Sequence, residues 1–104
     1  VSNERDIEQE LKDRGLNAPR LSPERIDSVI VSEEFWVFQG KHMVCCLTLL
    51  NGFTVTGESA VVSPENFRED IGKRLSREKA RDKVWAMEAY LLQQRGYELG
   101  KLGV

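Results

Sequence analysis

Histidine, cysteine and proline are scarce in this sequence, and the first two shortages remove whole classes of chemistry. One histidine, His42, and two adjacent cysteines, Cys45 and Cys46, do not supply four tetrahedral ligands at the paired spacings zinc uses. Neighbouring residues of a strand point to opposite faces, so the two cysteines do not bond to each other. Without a disulfide framework the chain suits a reducing compartment. A cysteine–histidine dyad fails on distance, because His42 and Cys46 share a strand face but sit about 13 Å apart at strand rise. Gly52, Gly57 and Gly72 do not make the glycine-rich loop that cradles a phosphate. No apolar run approaches the roughly 20 residues that span a bilayer, and no signal-peptide pattern opens the chain. The expectation is a cytoplasmic protein with no metal, no cofactor and no catalytic pair.

What is present describes an ordinary folded chain. With 104 residues, 40% hydrophobic and 31% charged, the sequence is expected to form one domain with a modest core. A net charge of −2 signals neither a generic polyanion binder nor an acidic tail. The charge is unevenly spread, however. Residues 1–34 carry nine acids against five bases, and the remainder eight acids against ten bases, six of these between Lys73 and Lys83.

Taken in order, residues 3–14 read as a short helix stopped by Gly15, with only Ile7 and Leu11 as an apolar stripe. Such a segment, 1–15, is expected to dock loosely. A linker from Asn17 to Leu21 contains Pro19. Ser22-Pro23-Glu24 then gives a helix start: an N-cap hydroxyl, a proline at a position that needs no donor, and an acid at the positive end. That helix reaches about Val31, turning Ile26, Val29 and Ile30 to a core. Strand-type runs follow at 35–39, 42–50 and 53–62. Gly40-Lys41 makes the first turn. Asn51-Gly52 makes the second, with the pair of positive φ angles that a type I′ turn needs. Along 53–58, Phe53, Val55 and Gly57 alternate with Thr54, Thr56 and Glu58. Gly57 marks a bulge or a close backbone approach.

Ser63-Pro64-Glu65 repeats the start signal and opens the longest helix, expected over 64–95. At about 100° per residue it carries two apolar stripes. Phe67, Ile71, Leu75, Trp85, Ala89 and Leu92 form one; Ala80, Val84, Met87 and Leu91 form another on nearly the opposite side. Either the helix breaks near 73–77, where Gly72 and Ser76 lie, or the second stripe meets a partner. The glycines at 96, 100 and 103 suggest a flexible tail over 96–104. The fold expected is α+β: two short N-terminal helices, a three-stranded antiparallel meander, and a long, kinked or continuous C-terminal helix packed on the sheet.

Two surfaces of that helix are candidates for binding. Val84, Met87, Tyr90 and Leu91 make an apolar surface for another protein or a second copy of the chain. Tyr90 lies between the stripes and is the best anchor among the aromatics; Trp36 and Trp85 are assigned to the core, and Tyr97 is a further candidate. Lys73, Arg74, Arg77 and Arg81 make a basic stripe that could follow a nucleic-acid backbone. The order α-β-β-β-α resembles that of the double-stranded RNA-binding domain, whose glycine-rich loop and close lysine pair are not matched here. A solvated, salt-bridged helix face is the stronger reading of the stripe. Glu78 and Asp82, one turn apart, are explained as helix ion-pair partners of Arg74, Lys79 and Arg81.

Several stretches in order carry a resemblance: NGFTVTGESAVVSPENF at 51–67, Ile71-Gly72 with Arg74, and Trp85 followed by EAYLLQQR. APRLSPERID at 18–27 adds to it. Over residues 16–95 the chain resembles the family of small bacteriophage proteins named after gene 49 of phage N4 and gene 66 of phage Sf6. Ala86 and Ala89 stand where other members often have a proline and a glycine, which favours an unbroken helix around Trp85. The resemblance implies an accessory protein of a tailed phage or prophage, acting in the bacterial cytoplasm and binding a host or defence protein without catalysis. It carries no residue roles.

Overall fold

The structure is a computed structural model that describes residues 4–16 and 20–100. Residues 17–19 of the expected linker and 101–104 of the expected tail lie outside the described residues, as does the first residue of the expected N-terminal helix. The chain is mixed α+β. Helices α1 (Glu4–Asp13) and α2 (Pro23–Val29) precede strands β1 (Ile30–Phe38), β2 (His42–Leu49) and β3 (Thr54–Ala60). A 3₁₀ turn over Pro64–Asn66 and the long helix α3 (Glu69–Glu98) follow. The residues fall into two compact units, one made of residues up to Ser28 together with those from Trp85 onward, the other of Val29–Val84.

In the second unit the strands form an antiparallel sheet of order β1-β2-β3. Met43, Cys45, Leu47 and Leu49 alternate along β2 on its buried face, and Val55 joins them from β3. The first half of α3 covers that face. Here Gly57 settles its own alternative. The β2–β3 register runs through it without a shift, from His42↔Ala60 to Thr48↔Thr54, so there is no bulge. Instead the helix backbone comes so close that a Cβ on Gly57 would lie 2.3 Å from the Ala80 nitrogen and from the Ser76 oxygen. The residues that allow this are small: Gly72, Ser76 and Ala80, spaced by four along α3, are all buried.

That row decides the alternative left at 73–77 in favour of an unbroken helix. Gly72 and Ser76 are contact residues, and α3 runs unbroken through them and on through Gly96 and Tyr97. The interruption comes earlier. Ser63 makes no side-chain cap, the chain leaves helical geometry at Phe67 (ψ 133°), and α3 begins only at Glu69. Arg68 explains the restart, because its guanidinium donates to the carbonyls of Glu65 and Phe67 and satisfies acceptors the short turn leaves over. The same three-residue signal works fully at Ser22, whose Oγ accepts from the Arg25 N–H at 3.2 Å.

Two further boundaries move. Strand β1 starts at Ile30, because β-branched Ile30 pairs with Leu49 and the Leu50 N–H donates to the Val29 carbonyl. The positive-φ pair falls at Gln39 (55°) and Gly40 (65°), not at Asn51-Gly52. In the second turn only Gly52 is left-handed; it donates to the Leu49 carbonyl, and Asn51 Oδ1 accepts from the Phe53 N–H.

In the first unit, α1 ends in a Schellman arrangement: Gly15 (φ 71°) donates to Lys12 and Leu16 donates to Leu11. The residue α1 buries is Glu8, not Ile7, which is half exposed. Glu8 accepts from Arg20 at 2.8 Å, and Arg20 also donates to the Leu16 carbonyl at 2.7 Å. Arg5 bridges Glu24 and Asp27 of α2, the Trp85 Nε1–H donates to Glu4 at 3.2 Å, and buried Glu88 meets Arg25 at 3.3 Å. Polar contacts are therefore prominent in how α1, α2 and the end of α3 are joined, around fully buried Ile26.

Candidate interaction surface

Helix α3 separates the four residues of the apolar candidate surface. Val84 is completely buried in the second unit, because it continues the Gly72–Ser76–Ala80 row one turn further on. It is therefore part of the core. Met87 is half-buried, Tyr90 is 67% exposed and Leu91 43% exposed. These three, at i, i+3 and i+4, form a continuous strip in the first unit. Of the other stripe, Ile71 and Leu75 are exposed, while Trp85 and Leu92 are half-buried.

Two members of the basic stripe, Lys73 and Arg77, meet neighbours within their own unit. Arg77 Nε lies 2.6 Å from Glu33 of β1. Lys73 meets Glu69 at 3.2 Å and sits 5.4 Å from the centre of the Phe35 ring. Arg81 is partly buried and has a partner, and Arg74 is exposed. Glu78 and Asp82 are both exposed.

The histidine and the two cysteines are placed by the sheet. His42 Nε2 lies 3.0 Å from Glu58 Oε1 across the sheet, and its ring meets Phe38 edge-on. Cys46 shares that face but is separated from His42 by Val44. Cys45 faces the core, where burial pushes its thiol from 9.0 up to about 11, with the Glu33 carboxylate adding to the rise. A thiol held protonated is a poor nucleophile. Among the described residues no three His, Cys, Asp or Glu side chains gather as a metal site. A cleft of about 110 Å³ beside Phe67, Ile71 and Leu75 is well under the roughly 300 Å³ at which small-molecule sites begin. No helix among the described residues is long and apolar enough to cross a membrane.

The Cys45 shift makes a prediction. The folded state holds this proton more tightly than the unfolded chain, so its contribution is fully present below about pH 9. It should fall away as pH rises toward 11, by on the order of 2 kcal/mol. Urea midpoints measured across that range should drop more for the wild type than for Cys45→Ala. Equal slopes would show that the thiol titrates alike in both states.

Sequence reasoning missed one surface. Trp36, assigned to the core, is 65% exposed, and Phe38, two residues on, is 49% exposed, with ring centres 6.2 Å apart. The strand FWVF is apolar at every position, so alternation could not choose its buried face. Pairing decides it: Phe35 and Val37 lie opposite buried Cys45 and Met43, which turns Trp36 and Phe38 outward with Val44 and His42. Glu33 and Glu34 fall on opposite faces, so charge did not choose between them either.

Comparison with known proteins places the chain by family. The family model described as Phage protein (N4 Gp49/phage Sf6 gene 66) family matches residues 21–95. No curated protein and no solved structure matches the chain.

Proposed function

The chain belongs to the N4 Gp49/phage Sf6 gene 66 family of phage proteins, and from that premise we propose that it is an accessory protein that binds a protein of the bacterial host or of its defences, without catalysing a reaction. The observation that carries this reading is the strip Met87, Tyr90 and Leu91 on α3. Tyrosine in water beside apolar neighbours is the composition of a binding hot spot. Spacing at i, i+3 and i+4 matches the way a helix presents anchors to a groove. The reading places its action in the host cytoplasm.

The test is an affinity pull-down of the tagged protein from host lysate, with and without nuclease, alongside Leu91→Asp. One host protein should survive nuclease treatment and be lost, by about tenfold or more, with the variant. Recovery of nucleic acid that nuclease removes, with no protein left behind, would overturn the reading in favour of the Lys73–Arg81 stripe.

A further inference from the structure

We infer that the outer edge of β1 is a self-association site, where a second copy of the chain adds its own β1 antiparallel about a twofold axis. Two three-stranded sheets then become one sheet of six strands. Among the described residues the strand order puts β1 at an edge, with no strand beside its outward N–H and C=O groups. With nine residues it is longer than β2 or β3. It contains no proline, lysine or arginine, the residues that commonly blunt an edge. Its one irregularity lies between Ile30 and Ser32, which leaves 32–38 regular. The opposite edge, β3, is shorter and turns Thr54, Thr56 and Glu58 to the exposed face.

Side chains on both faces of β1 remain in water. Trp36 and Phe38 are exposed on one face and Val37 on the other, so an added strand would find apolar partners above and below the sheet. Charge selects what that strand is and how it aligns. The charged residues of β1 are Glu33 and Glu34, and Glu33 is neutralised by Arg77. A register centred on Glu34 would oppose like charges directly. Centred on Trp36, the two Trp36 rings meet and Glu34 falls opposite Phe38 of the other copy. The two Glu34 carboxylates are then offset by four residues, about 13 Å, beyond the roughly 8–10 Å over which salt leaves such repulsion felt. This arrangement is isologous and closes on itself, so it stops at a dimer.

The exposed parts of two Trp36 and two Phe38 side chains supply on the order of 500 Å². Two strands about 30 Å long add main chain and flanking side chains. Together these bring the interface toward the low end of specific ones, near ~1,200 Å².

Light scattering on sized protein over a concentration series tests this. The wild type should rise toward twice the 11.9 kDa monomer mass, and Trp36→Lys should stay monomeric with an unchanged circular dichroism spectrum. In a Cys46→Ser background, Trp36→Cys should cross-link between copies on oxidation and Glu34→Cys should not. A wild type that stays at monomer mass to its solubility limit would overturn the inference. So would a dimer that survives Trp36→Lys, or one that cross-links through Glu34→Cys in place of Trp36→Cys. A dimer lost with Leu91→Asp but not with Trp36→Lys would assign self-association to α3, again against β1.

Discussion

Gly57→Ala is expected to destabilise the protein by roughly 3 kcal/mol or more, a large part of what a domain of this size has to lose. One methyl does this because of what it would meet. The Ala80 nitrogen and Ser76 oxygen lie 2.3 Å from the new Cβ, and the Lys79 carbonyl carbon 2.9 Å away. All three are backbone atoms of a continuous helix, so no rotamer change relieves the contact, and α3 would have to lift away from β3. Gly72→Ala is the control. Its Cβ would meet the Phe67 ring at 3.2 Å and Met43 Cβ at 3.4 Å, both side-chain atoms. A gain in helix propensity of about 1 kcal/mol offsets that crowding, so the change should be near neutral. Urea unfolding of the two variants reads the contrast directly. A Gly57→Ala midpoint close to the wild type would mean that strand and helix are not in backbone contact.

That contact also shows where sequence reading ran out. The order of elements was legible because each rests on local signals: Ser22-Pro23-Glu24 for α2, alternation along β2, and the length of the periodicity over 64–95 for α3. Gly57 was legible as a special position, but choosing between a bulge and a close approach needed the register. Gly72 and Ser76 left a break open as one alternative because glycine and serine lower helix propensity when nothing packs on them. Packed under a sheet, the same residues are what lets the helix come near. Trp36 was lost for a related reason. Hydrophobicity locates a buried face only when the other face is polar, and residues 35–38 are apolar on both.

The exposure of the four candidate residues was partly legible. Tyr90 stood out between two stripes and is exposed, whereas Val84, correctly grouped with Ala80, was turned outward because helical periodicity gives relative angles and no absolute direction. A single buried neighbour fixes that direction, and here it is Gly57 against Ala80. Charge had the same ambiguity. The row of Lys73 and Arg77 was visible on the helix, but their neighbours Glu33 and Phe35 of β1 were not.

The second large effect follows from that division of α3. Val84→Asp should cost more than about 4 kcal/mol, since it puts a carboxylate with no partner into a site that is 0% exposed. The variant should be largely unfolded at neutral pH and recover partly on acidification, because a protonated carboxyl is cheaper to bury than a charged one. Leu91→Asp, seven residues on, should change stability by less than about 1 kcal/mol, because nearly half of that side chain is already in water. The same chemical change, two turns apart, thus separates the core of the fold from its proposed contact with a partner. Circular dichroism and urea midpoints decide the first variant, and partner capture decides the second. A folded Val84→Asp would mean that residue 84 is reachable by solvent and would restore it to the binding strip. An unfolded Leu91→Asp would move Leu91 into the core and leave Tyr90 without the apolar neighbour that makes it an anchor.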